Sequence, residues 1–130
     1  MGEPNAPVTI EEWADLQCPA CRQFALGTEP QLRTAYIATG KVRLVFHHMA
    51  FIGQESLWAA QASECAGEQG RFWPYYDALS ATDAPGGRNS GAYSKLSLKR
   101  LAAQVGLQQA TFDSCLDSDR TQAAVQAETV

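Results

Sequence analysis

The sequence has no long apolar run: nothing in it approaches the ~20 consecutive apolar residues that a membrane-spanning helix requires. It has no basic stripe either. Ten Lys and Arg lie scattered along 130 residues whose formal net charge is −4, a balance that argues against nucleic acid as a partner. The lead-in Met1-Gly2-Glu3-Pro4-Asn5-Ala6-Pro7 is polar and lacks the hydrophobic stretch of a signal peptide, so the expectation is a cytosolic protein or a mature fragment. No internal repeat or low-complexity tract appears. What remains is an ordinary globular composition, 45% apolar and 18% charged, long enough to bury one hydrophobic core. Four cysteines do not by themselves fix the compartment, because reducing environments also tolerate catalytic pairs.

Residues 8–16 read as a strand, with a β-branched start and period-two alternation that puts Val8, Ile10, Glu12, Ala14 and Leu16 on one face. Cys18-Pro19-Ala20-Cys21 follows at once and opens a helical pattern, with Pro19 suited to the first turn. Gly27 and Pro30 predict a kink or break, after which the helix runs on toward Gly40. Residues 41–48 read as a second strand. Strand, helix, strand is the βαβ pattern, which implies a parallel pair. Helices are expected over 55–68 and 71–79, then a loop over 83–91. Ser97 is expected to cap a helix over 98–105 that stops at Gly106, and short helices follow over 110–116 and 121–129. The expected organisation is α/β: a βαβ unit over 1–52, then a helical block over 53–130.

Two cysteines separated by two residues at a strand-to-helix junction have a specific chemical consequence. The helix N-terminus presents unpaired N–H groups and the positive end of the helix dipole, which favour a thiolate. A thiol there has its pKa lowered from about 8.5 into the range of roughly 3.5 to 7.5. Cys18 is therefore the candidate nucleophile for disulfide exchange, and Cys21, about one turn on, the candidate resolving thiol. Two blander readings compete. A zinc site needs four ligands, yet Cys65 and Cys115 are isolated, and adjacent His47 and His48 do not easily point the same way from a strand. A purely structural Cys18–Cys21 bridge closes too small a loop to add much stability.

Several segments in order resemble the DsbA-like thioredoxin-fold oxidoreductases. They are Ala6-Pro7-Val8-Thr9-Ile10, Asp15-Leu16-Gln17-Cys18-Pro19-Ala20-Cys21, Gly40-Lys41-Val42-Arg43-Leu44-Val45-Phe46, Ala62-Ser63-Glu64-Cys65-Ala66, Gly70-Arg71-Phe72-Trp73-Pro74-Tyr75-Tyr76-Asp77 and Gly106-Leu107. The resemblance implies a thioredoxin-like fold with an inserted helical subdomain. It also implies an extracytoplasmic setting (periplasm or cell envelope), and formation or isomerisation of disulfides in exported proteins. Family members continue into a cis-proline segment and further strands. None of the six prolines lies in that context, so the expectation is a fragment truncated before it, with an exposed sheet edge able to recruit a second copy as a homodimer.

Other residues carry weaker expectations. Glu12, six residues before Cys18 and in phase with Ile10, reads either as a half-buried carboxyl able to take the Cys21 proton or as a solvated strand-end charge. Some family members hold an acidic residue there, which favours the first. For Cys65 and Cys115 the resemblance implies a structural disulfide in the helical subdomain; free buried thiols are the alternative. His47 and His48 read as surface or packed histidines. Trp58, Phe72, Trp73, Tyr75 and Tyr76 read mainly as core packing, with a substrate groove as the other reading. Asp15 reads as a turn residue without a role.

The reading that follows is thiol–disulfide exchange through Cys18 and Cys21, with protein thiols or disulfides as substrates, an unidentified redox partner, and no metal or organic cofactor implied. Ala20 offers Cys18 no cation, so moderate oxidising power is expected. A non-catalytic module that binds a partner or an unfolded chain is the main alternative, and a zinc-binding structural domain is the other.

Overall fold

The β-branched run at Val8, Thr9 and Ile10 opens strand β1, Val8–Ala14, and Val42–His48 forms β2. The strands pair parallel, with Val8 opposite Val42, Glu12 opposite Phe46 and Ala14 opposite His48. The computed structural model describes residues 1–129. A parallel pair needs a crossover, and a single helical run supplies it. That run comprises α1 (Pro19–Gln23), a π-helical turn (Phe24–Thr28), α2 (Glu29–Leu32) and a second π-helical turn (Arg33–Ile37).

Of the kink or break expected at Gly27 and Pro30, the break is absent. The helix widens instead: the Glu29 N–H donates to the Phe24 carbonyl and the Ala38 N–H to the Arg33 carbonyl, each five residues back. Pro30 has no N–H for the Leu26 carbonyl and its ring would crowd that turn. A π turn just before it relieves the crowding without ending the helix. Gly40, at φ +78, then turns the chain into β2.

The second half is helical: α3 (Gln54–Glu68), α4 (Phe72–Ala81), α5 (Lys95–Val105), α6 (Gln109–Asp117) and α7 (Gln122–Glu128). Ala59, Ala62 and Ala66 leave one face of α3 thin enough for close approach, and Tyr75, Leu79, Leu98, Phe112 and Leu116 fill the space against it. Cys65 and Cys115 are joined by a disulfide that ties α3 to α6. The cap of α5 differs from expectation. Ser94, not Ser97, starts the helix, its hydroxyl accepting the Ser97 N–H at 3.2 Å. Exposed Leu96 lies off the apolar stripe, which made the helix read three residues short. Gly106, at φ +83, ends it.

A smaller apolar cluster of Ile37, Val42 and Leu44 lies under the sheet, with Ile10 and Trp73 packed against it. Tyr75 and Tyr76 are buried, and the rings of Phe72, Trp73 and Tyr76 pack edge and face against one another. The C-terminal helix docks on the end of β2. Glu128 Oε2 accepts the His48 N–H at 2.7 Å, and Thr129 Oγ1 accepts the Ala50 N–H at 3.0 Å.

Candidate active site

β1 hands the chain to α1 through Asp15, Leu16 and Gln17. The Cys18 N–H donates to the Asp15 carbonyl at 2.9 Å, and the Cys18 carbonyl accepts the Arg22 N–H at 2.9 Å. Cys18 is thus the cap residue, in extended conformation, with Pro19 in the first turn. Cys18 and Cys21 are both free thiols and both partly buried.

Their environments push them in opposite directions. The Cys18 pKa is lowered, first by the main-chain N–H of Cys21 and further by the Cys21 thiol and the Ala20 N–H; partial burial and the Asp15 charge oppose this. Cys21 is pushed up to about 11, chiefly by burial, with the Cys18 thiol and the charges of Cys18 and Glu12 adding to it. The helix start therefore favours the thiolate at Cys18, whereas Cys21 behind it holds its proton.

Glu12 is partly buried on the inner side of β1 and its pKa is raised to about 7, first by burial and then by the charge of Glu29. Tyr76 and Arg33 pull the other way. Cys21 and Tyr76 line one small cavity with Ala14 and Ser80. On the other side of α1 an open groove of about 480 Å³ runs past Leu16, Pro19, Leu26 and Tyr93, with Arg22 and Arg88 on its rim. Arg22 bridges to the helical block, donating to the Ser80 carbonyl at 2.7 Å and pairing with Asp83 at 3.0 Å.

The structure sets Cys18 and Cys21 together at the helix start, lets the Glu12 charge reach Cys21, and leaves the other sequence candidates elsewhere. Cys65 and Cys115 sit in the helical core. His47 stacks on Trp13 with ring centres 4.3 Å apart, and His48 is buried with Nε2 2.7 Å from Glu64 Oε1. Among the described residues no group of three or more His, Cys, Asp or Glu is placed to hold a metal ion.

Asp15 is the residue that sequence reading undervalued. It is 1% exposed and accepts four hydrogen bonds, from the N–H groups of Gln17, Phe51 and Ile52 and from the Ser56 hydroxyl. Beside it, the Gln17 side chain donates to Ser56 at 2.8 Å and to Asn89 at 3.1 Å. The turn before Cys18 is therefore fastened to α3 and to the loop before α5.

The thioredoxin family profile matches residues 1–130. The chain belongs to the thioredoxin family. Within it, the similarity is to DsbA-like proteins. A probable disulfide bond formation protein D of Bacillus cereus is 40% identical over 81 residues, covering 61% of this chain and 38% of that protein. The disulfide bond formation protein D of Bacillus subtilis is 29% identical over 129 residues, covering 92% of this chain and 58% of that protein. The crystal structure of oxidised BdbD from Bacillus subtilis superposes with a TM-score of 0.89 at 26% identity, over 98% of this chain and 70% of that one. This thioredoxin-family chain thus spans less than two thirds of the curated relatives it matches.

Proposed function

We propose that the chain carries out thiol–disulfide exchange with protein substrates through Cys18 and Cys21, in an extracytoplasmic setting. The observation that carries this reading is the contrast between the two thiols: Cys18 lowered at the helix start, Cys21 raised to about 11 behind it. Relatives named for disulfide bond formation support it.

In the oxidising direction the pair begins as a disulfide. A substrate thiolate attacks Cys18 Sγ, the Cys18–Cys21 bond breaks, and Cys21 leaves as a thiolate that takes up a proton. A second substrate thiolate then attacks the substrate sulfur of the mixed disulfide, and Cys18 leaves as a thiolate. Two electrons pass from substrate to the pair, and a separate redox partner must remove them. The lowered Cys18 pKa makes it a good leaving group in the second step, and Glu12, its own pKa raised to about 7, supplies the proton in the first. The reverse sequence reduces a substrate disulfide. With Ala20 offering no cation, the pair is a moderate oxidant.

The test is the pH dependence of alkylation at each cysteine of the reduced chain, read by mass spectrometry. Rapid modification of Cys18 alone, well below the range of an ordinary thiol, supports the reading. Cys18 reacting no faster than a model thiol overturns it and leaves a binding module.

A further inference from the structure

Behind Cys21 lies a polar group that the exchange chemistry has not yet used. Glu29, on α2, is 0% exposed. Its Oε2 accepts the Tyr76 hydroxyl at 2.9 Å, and its Oε1 accepts Arg33 Nη2 at 2.9 Å. Arg33 in turn grips Asp77 of α4 at 2.7 and 3.0 Å, so the crossover helix and α4 are clamped together at this point. Burying a carboxylate is strongly unfavourable unless it is paired and fully hydrogen-bonded, and this one is.

Glu12 completes the group from the strand side. Its Oε2 is buried with no hydrogen-bond partner among the described residues. Tyr76 lies close enough to favour its ionised form, and Glu29 close enough to oppose it. Cys21 and Tyr76 share a small cavity, and Tyr76, Glu29 and Arg33 are hydrogen-bonded. Glu12 exchanges charge influence with Cys21 and Glu29, so the five, drawn from α1, β1, α4, α2 and the second π turn, are electrostatically coupled.

We propose that Tyr76, Glu29 and Arg33 are positioning residues for proton transfer at Cys21, setting through Glu12 when that thiol gains or loses its proton. The idea rests on the exchange reading above. The phenol hydroxyl has one proton to donate, it goes to Glu29 at 2.9 Å, and Glu12 also feels the phenol. Donated to Glu29, it leaves Glu12 to keep its own proton; turned toward Glu12, it stabilises the ionised form that has just delivered a proton. When Cys21 resolves a mixed disulfide, its proton passes to the Glu12 carboxylate, its sulfur bonds to Cys18 Sγ, and the substrate sulfur leaves with the electron pair.

The two neighbours act with opposite sign. Removing the Glu29 charge favours ionised Glu12, whereas removing the Tyr76 donor disfavours it. Glu29→Gln should therefore lower the Glu12 titration and Tyr76→Phe should raise it, each by about one pH unit. Two readouts test this. One is the carboxyl signal of ¹³C-labelled Glu12, identified by its loss in Glu12→Gln, across a pH titration of the reduced chain. The other is the pH profile of thionitrobenzoate release by Cys21 from its mixed disulfide with Cys18.

Opposite displacements in both readouts, with Glu12→Gln flattening the release profile, support the proposal. A Glu12 signal unmoved by either variant overturns it, as does a moved signal with an unmoved release profile. General destabilisation does not split the two variants by sign, and either alone suffices should the other fail to fold. No release by the parent chain overturns the exchange reading itself, while the carboxyl titration still reports separately on the set around Glu12.

Discussion

Asp15 and Ser56, on opposite sides of β2 in the sequence, meet in a 2.7 Å hydrogen bond from the Ser56 hydroxyl to Asp15 Oδ1. Oδ2 of the same carboxylate accepts the N–H groups of Phe51 and Ile52, each at 2.9 Å. One buried carboxylate therefore holds the turn that presents Cys18 against the segment entering α3. Its charge also disfavours the Cys18 thiolate, so the residue that anchors Cys18 tempers it as well.

Asp15→Asn separates these two roles. An amide nitrogen cannot accept, so one side of the group loses its partners and stability should fall by about 2 kcal/mol. The charge disappears too, so the remaining folded protein should alkylate at Cys18 at lower pH than the parent. Urea denaturation measures the first effect and the alkylation profile the second. An unchanged denaturation midpoint would show that the two bonds on the lost side add nothing.

Glu12 gives stability a pH dependence of definite sign. Its folded pKa, about 7, exceeds the ordinary 4.5, so the native state holds the proton more tightly than the unfolded chain. The stabilising contribution of the protonated carboxyl is full below about 4.5 and is lost as pH rises through about 7. Glu12→Gln should flatten that limb of the stability curve. Denaturation midpoints of parent and variant, taken across the interval, decide it; parallel curves would contradict the raised value.

The Cys65–Cys115 bond closes a separation of 50 residues. Replacing both cysteines by serine should lower stability by about 4 kcal/mol on the chain-entropy argument. Because both lie in the helical core, away from the helix that bears Cys18, the alkylation profile of Cys18 should stay where it is. A shifted profile would reveal coupling between the two halves.

Ser94→Ala removes the acceptor that starts α5 and should lower stability by about 1 kcal/mol. The loss should appear in hydrogen exchange as faster opening of the first turn of that helix. Full protection at the Ser97 amide would mean that another group caps it.

The βαβ unit was legible because alternation at Val8, Ile10 and Glu12, and the run from Val42, are local signals read within a few residues. The Cys18-Pro19-Ala20-Cys21 junction was legible for the same reason. Asp15 was not. It sits at a turn, where Asp is common, and its partners Phe51, Ile52 and Ser56 arrive from a loop and helix that only the fold brings near. Glu29 and Arg33 carried a signal, the i,i+4 spacing of an ion pair on a helix, but nothing local could show that Glu29 is buried or that Tyr76 donates to it. The first π turn escaped because Gly27 and Pro30 signal disruption without saying whether a helix breaks or widens.

The widened turn at Phe24–Thr28 also decides which way Glu29 points. Glu29 lies eight positions after Cys21, a spacing that on a regular α-helix separates two side chains by about 80°. A π turn absorbs one residue, so the pair behaves as if seven apart and falls within about 20° of a common line. Deleting one residue from that turn should heal it to regular helix and leave the two side chains aligned. The same deletion in a regular part of the run between them would swing Glu29 away by about 100°. The crossover helix therefore has one short segment where its length can change by a residue while the buried carboxyl keeps its place.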